Sequence, residues 1–132
     1  MTLEFMLDTD AVSSALRGRG DVAAHLLDHR PSEICISSIT LAELRFGADS
    51  KGSRRLHRLI DTFVMSVQVL PFDQAAADRF GVVALALAKR GEPIGTFDTL
   101  IAAHALSRGV TLVTNNTKHF RRVSGLKIVN WL

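Results

Sequence analysis

Short apolar runs alternate with amphipathic stretches along this chain, and the two periods assign its elements. Residues 4–8, built around Phe5-Met6-Leu7, read as a first strand. Glu33–Ser37, Val67–Leu70 and Val110–Thr114 read as three more, compact and largely apolar, and Lys127–Trp131 can add a last one at an edge. Between them the spacing predicts helices over Asp10–Leu16, Asp21–His29, Ser38–Ala48, Ser53–Val64, Asp73–Arg90 and from Thr96 or Asp98 to Ser107, with a short helical segment at Lys118–Arg122. Ala76, Phe80, Val83 and Leu87 mark the inward stripe of the longest helix. Gly18, Gly20, Pro31, Gly52, Pro71, Pro93 and Gly109 punctuate the breaks. Strands that alternate with helices call for an α/β fold, here a three-layer α/β/α sandwich on a mostly parallel sheet of four to five strands. There is no internal repeat and no linker, so a single domain over residues 1–132 is expected.

Composition changes this picture only at a few points. A chain of 132 residues, 47% of them hydrophobic, can bury one proper core. Its apolar runs are far too short to cross a membrane, and its opening does not read as a signal peptide. The lone Cys35 excludes an internal disulfide and fits a reducing cytoplasm. The net charge is only +3, but twelve of the sixteen basic residues are arginine, whose planar fork matches phosphate oxygens. Aromatic residues make up 6% with no tyrosine, so base stacking on an aromatic platform is not expected.

Candidate chemistry rests on acids that core-building logic does not explain. Asp8 directly ends the first apolar strand, and Asp10 follows where a helix cap is due. Ile39, Ala42 and Phe46 define an apolar stripe on the Ser38 helix, which places Glu43 on or beside the face that packs on the sheet. A capping box from Thr40 to Glu43 is the bland alternative, although Ser38 is the earlier cap. Asp98 heads a stripe of Ile101, Ala102 and Ala105, whereas a favourable helix-terminus interaction would explain its presence without explaining an inward direction. Gathered carboxylates repel unless a hard cation offsets them, and oxygen ligands without a Cys/His set suit Mg²⁺ or Mn²⁺. Such a cluster suits the hydrolysis of phosphodiesters.

Several blocks carry a more specific signal. Leu7-Asp8-Thr9-Asp10, Ser37 through Gly47, Leu70-Pro71-Phe72-Asp73, Pro93 through Ala105 and Leu112 through Thr117 together resemble a PIN-domain VapC toxin, in the same order and over nearly the whole chain. The resemblance implies a Mg²⁺-dependent endoribonuclease, with Mn²⁺ able to substitute, acting in the bacterial cytoplasm on structured RNA such as tRNA or rRNA loops. It implies a homodimer neutralised by a VapB-like antitoxin whose tail enters near the active site. Carried over by position, Asp8 and Asp98 would be metal ligands and Glu43 the third carboxylate. Asn116 stands where many PIN nucleases have another acid, and His119 and Arg121 stand near a further acidic position.

The remaining features have two readings each. Thr9, Ser38 and Thr114 can bond the carboxylates or phosphate, or simply cap strand ends. His25 and His29 have ligand-like spacing without partners and read as an exposed helix face; His104 reads as a packed or hydrogen-bonded helix residue. Lys51, Arg54, Arg55 and Arg58 form one basic cluster, and Lys118, Arg121, Arg122 and Lys127 another, either as solvated faces or as tracks for RNA phosphates. Arg45 can pair with an acid or approach the scissile phosphate. Two alternatives stay open at this point: a haloacid-dehalogenase-type phosphatase using Asp8 and Asp10, and a non-catalytic RNA- or protein-binding module.

Overall fold

A computed structural model describes residues 2–132. The order is β1 (Phe5–Leu7), α1 (Thr9–Leu16), α2 (Val22–Leu27), a 3₁₀ turn (Pro31–Glu33), β2 (Ile34–Ser37), α3 (Ser38–Ser50) and α4 (Arg54–Val64). It continues with β3 (Gln68–Leu70), α5 (Gln74–Lys89), α6 (Thr96–Arg108), β4 (Thr111–Val113), α7 (Thr117–Phe120) and β5 (Ile128–Val129). The five strands form one sheet in the order β3-β2-β1-β4-β5, and every neighbouring pair is parallel.

The strands are apolar on both sides because helices cover both faces. Met6, Cys35, Leu70 and Leu112 point to the layer formed by α5 and α6, where Val83, Leu87, Ile101 and Ala105 receive them. Their neighbours Leu7, Ile36 and Val113 point the other way, against Ala11, Val12, Leu44, Ile60 and Phe63 of α1, α3 and α4. The period of two in a strand thus divides one apolar run between two cores. Strand β1 lies at the centre, with Leu7 opposite both Ile36 and Val113.

Several helix expectations differ from the structure. Asp8, and not Asp10, caps α1, because its side chain accepts from the Ala11 N–H. Ser37, and not Ser38, caps α3 by accepting from the Ile39 N–H. The buried stripe of α3 is Thr40, Leu44 and Ala48 at four-residue spacing, while Ala42 is exposed and Phe46 is 73% exposed. The apolar set Ile39, Ala42 and Phe46 matched a helical period, but only Ile39 of that set packs on a core. Helix α2 is shorter than expected, since His29 lies beyond its end. His25 and His29 are half-buried, stacked on the ring of Trp131 at centroid distances of 5.0 and 5.3 Å instead of facing solvent. The stripe of α5 is as expected at Ala76, Val83 and Leu87, with Phe80 half-buried. Gly109 closes α6 with φ 66°, a left-handed conformation that glycine adopts at least cost.

Candidate active site

The sheet order creates the crevice. The chain steps outward from β1 to β2 and β3, then returns to place β4 on the other side of β1. The loops leaving β1 and β4 therefore part in opposite directions at the carboxyl edge, the location where open parallel sheets bind ligands. Asp8 leaves β1 at that edge, with its backbone N–H still donating to Val113 O at 3.0 Å. Thr114, Asn115 and Asn116 leave β4 beside it.

Asp8 is 2% exposed. Its Oδ1 accepts from Ala11 N at 2.8 Å, and the Thr114 hydroxyl, itself fully buried, bonds the same carboxylate. The Thr114 oxygen in turn accepts from Asn116 N at 2.9 Å, which leaves its proton free for Asp8. Burial pushes the Asp8 pKa up to about 7; the two hydrogen bonds oppose the rise, and the negative charges of Asp10 and Asp98 add to it.

Asp98 lies in the first turn of α6, one-third exposed. Its pKa is also raised, first by desolvation and then by the charges of Glu43 and Asp10, against a lowering influence from His119. Glu43 reaches the same region from α3, half-buried, with its Oε1 accepting from the Thr9 hydroxyl at 2.5 Å. That bond takes the Glu43 carboxylate across to α1, so the capping box with Thr40 does not form; Thr40 is buried inside the helix. Asp10 and Asp98 thus act on Asp8, and Glu43 and Asp10 on Asp98, and both Asp8 and Asp98 are held above the usual carboxylate range.

This charge balance suits a divalent cation. Among the described residues no group of three His, Cys, Asp or Glu side chains closes on one point, so there is no ready-made cage. Mg²⁺ does not need one, because it keeps several waters and takes one or two carboxylates. Two desolvated carboxylates with a third acid nearby fit that ion and Mn²⁺ better than zinc, which favours nitrogen and sulfur.

Other sequence candidates separate. Thr9 and Thr114 bond acids of the cluster, as one of their two readings required. Ser38 does not: its hydroxyl accepts from Phe72 N at 3.0 Å and ties α3 to the segment after β3. Asn116 stands at the start of α7, half-buried, its N–H on Thr114 and its carbonyl accepting from Phe120 N. Arg45 is turned to α4, donating to Asp61 Oδ1 at 2.5 Å with His57 alongside, so it pairs with an acid and does not approach the cluster. Arg54, Arg55 and Arg58 are exposed on α4, and Lys118 and Arg121 are exposed at α7. Arg122 is instead tethered, donating to Pro93 O at 3.3 Å and lying 3.8 Å from Glu92. His104 is packed as expected, fully buried with Nδ1 2.8 Å from the Ser37 hydroxyl.

His119 is the residue whose part sequence reasoning missed. Its Nδ1 lies 3.9 Å from Asp98 Oδ2 and supplies positive charge to that acid when protonated. It belongs to a different element 21 positions away along the chain, and no helical or strand period links the two.

Beside the acids, α1, α3 and α4 enclose a groove of about 480 Å³. Glu43 and Thr9 stand at one part of it, Leu44, Leu56 and Ile60 line it with apolar surface, and Arg17, Lys51 and Arg55 supply positive charge.

Comparison with known proteins agrees with this architecture. The PIN domain matches residues 5–126. The tRNA(fMet)-specific endonuclease VapC of Shigella flexneri is 41% identical over 130 residues, covering 98% of both chains. Ribonuclease VapC2 of Haemophilus influenzae is 37% identical over 131 residues, covering 98% of this chain and 99% of that one. Among solved structures, DNA-bound VapBC from Salmonella typhimurium superposes with a TM-score of 0.92 at 37% identity, covering 99% of this chain and 100% of the other. VapBC2 from Rickettsia felis, bound to a promoter DNA fragment, gives 0.90 at 32% identity over 98% and 100%.

Proposed function

The chain belongs to the PIN-domain family, in its VapC toxin branch, and on that premise we propose that it hydrolyses RNA phosphodiester bonds through Asp8, Asp98 and Glu43. The observation that carries the site assignment is the mutual electrostatic pressure among these acids at the carboxyl edge of β1, with Asp8 raised to about 7. Membership in this family sets aside the phosphatase that would pair Asp8 with Asp10.

Asp8 and Asp98 are the residues that would hold a Mg²⁺ or Mn²⁺ ion, and Glu43 would be the third carboxylate beside it. When bound, the ion activates a water and offsets charge on the phosphate. The chain's own contribution is to fix the ligands. Ala11 N–H and the Thr114 hydroxyl orient Asp8, the Thr9 hydroxyl holds Glu43, and His119 backs Asp98. Such supporting bonds typically carry a tenfold to hundredfold share of affinity or activity, roughly, in metal sites. Asn116, beside Thr114, orients a water or a phosphate oxygen with its amide. Arg54, Arg55, Arg58, Lys118 and Arg121 hold phosphates of the substrate strand on either side.

A VapB-type antitoxin is the partner, as in the VapBC complexes to which this chain is similar. The groove between α1, α3 and α4 suits an antitoxin segment with an apolar face and acidic flanks, delivered next to Glu43. The toxin is a homodimer before further assembly, and the bacterial cytoplasm is its setting; among the described residues no helix is long and apolar enough to cross a membrane. For the substrate, the Shigella relative makes initiator tRNA the first RNA to try.

The test is cleavage of a tRNA transcript by the purified chain. Mg²⁺ should support cutting, a chelator should stop it, and Asp8→Asn or Asp98→Asn should each lower the rate on the order of a hundredfold or more. Parent-like cleavage by both variants would overturn the assignment.

A further inference from the structure

Two of the seven phenylalanines are exposed next to the acids of the candidate site. Phe46 is 73% exposed and lies three residues after Glu43, hence beside it on the surface of α3. Phe97 is 54% exposed and immediately precedes Asp98 in the first turn of α6. Glu43 is tied by Thr9 to the start of α1, next to Asp8, and Asp98 lies 3.9 Å from His119 on α7, so each ring stands on a helix that borders the acids.

Burying a phenylalanine is among the larger single gains available to a fold, so leaving two rings in water at this place needs a reason. The other large exposed apolar side chains, Leu27, Met65, Val82, Leu85 and Leu132, belong to other parts of the chain and are aliphatic or thioether. A flat aromatic face offers what those cannot, a surface on which a nucleobase stacks whatever its identity. RNA recognition outside regular helices proceeds in this way, with bases splayed out and stacked on aromatic side chains. The exposed cations on α4 and at α7 supply the phosphate contacts that such a stacked strand needs.

We propose that Phe46 and Phe97 are substrate-positioning residues that stack unpaired bases flanking the bond to be cut. This rests on the ribonuclease reading above and refines it, because it directs the enzyme to loops or single strands whose bases are free. It runs against the expectation drawn from aromatic content. The total is small, but the two rings are placed where they count.

The experiment uses the full chain with Asp8→Asn added, to prevent cutting, and a short single-stranded RNA containing a fluorescent adenine analogue whose emission is quenched on stacking. Quenching on binding is expected with both rings present. Phe46→Leu and Phe97→Leu, which keep apolar bulk and remove the π face, should lose the quenching and bind about 5- to 150-fold more weakly, the range that stacking spans. Phe46→Trp and Phe97→Trp should restore both. In the cleaving background, the leucine variants should raise KM more than they lower kcat on single-stranded RNA. Unchanged quenching and affinity in both leucine variants overturns the stacking proposal. So does a change in oligomeric state with RNA binding intact, which would make these rings an interface between copies. Cleavage that survives Asp8→Asn and Asp98→Asn defeats the functional reading instead, so the two failures are told apart.

Discussion

Removing the charge of Asp8 should make the metal-free protein more stable while abolishing its activity. The side chain is 2% exposed, and burial raises its pKa from 3.8 to about 7. A carboxylate whose pKa is higher in the folded state than in the unfolded one binds its proton more tightly when folded. Stability from that proton is full below about pH 4 and falls as pH rises toward the folded value. At about 1.4 kcal/mol per pH unit, the interval from 3.8 to about 7 corresponds to roughly 4 kcal/mol by neutral pH. Asparagine keeps an oxygen for the Ala11 N–H and an amide that can donate to the Thr114 oxygen, so the variant escapes this loss without forfeiting the cap. Urea unfolding with chelator present should show Asp8→Asn more stable than the parent by about 2–4 kcal/mol at pH 7.5 and nearly equal at pH 4. Added Mg²⁺ should raise the parent's midpoint and leave the variant's nearly unmoved, because a ligand stabilises only the state that binds it. A variant no more stable than the parent at pH 7.5 would show that the Asp8 carboxylate is not held against its charge, and the electrostatic argument for a cation would fail with it.

Other changes separate the supporting roles. Thr9→Val removes the hydroxyl that holds Glu43 and should cost about tenfold to a hundredfold in cleavage at saturating RNA, with little effect on unfolding; a change confined to RNA affinity would contradict it. His104 is fully buried, and burial lowers its pKa from 6.5, so folding excludes its proton and stability should fall as pH drops below about 6.5; His104→Gln should flatten that part of the unfolding profile. Arg45→Met breaks the half-exposed contact to Asp61 and should cost less than about 1 kcal/mol without altering the metal response, a limit that denaturant titration can check. Replacing Arg54, Arg55 and Arg58 together by alanine should weaken RNA binding evenly across sequences and flatten its salt dependence, measured by titration at several ionic strengths.

The layered fold was legible because its signals are local. Apolar runs at β1, β2 and β4, the stripe of α5 and the Gly109 terminus each lie within a few consecutive residues, and α/β alternation leaves few topologies. Cap positions were less legible. Asp8 and Asp10, like Ser37 and Ser38, are competing cap residues within one or two positions, and only the path of the strand end decides between them. The misplaced histidines have the same cause. His25 and His29 look solvent-facing from their own helix, and the ring that covers them, Trp131, comes from the far end of the chain.

At the site, residue type told more than helical position did. Glu43 was singled out as an acid on a packing face, yet Ala42 and Phe46, which defined most of that face, are exposed. The carboxylate is half-buried for another reason: it flanks the true stripe of Thr40, Leu44 and Ala48 and turns toward Thr9 on α1. A period can be counted from several starting residues, and three apolar side chains fit more than one register. A carboxylate has fewer ways to be satisfied, so its presence near any buried surface constrains the tertiary neighbours even when the face is misjudged. The same misjudgement concealed Phe46. Once it is taken off the core, an aromatic ring remains in water three residues from a site acid. That exposure is the structural fact from which a role in holding RNA follows.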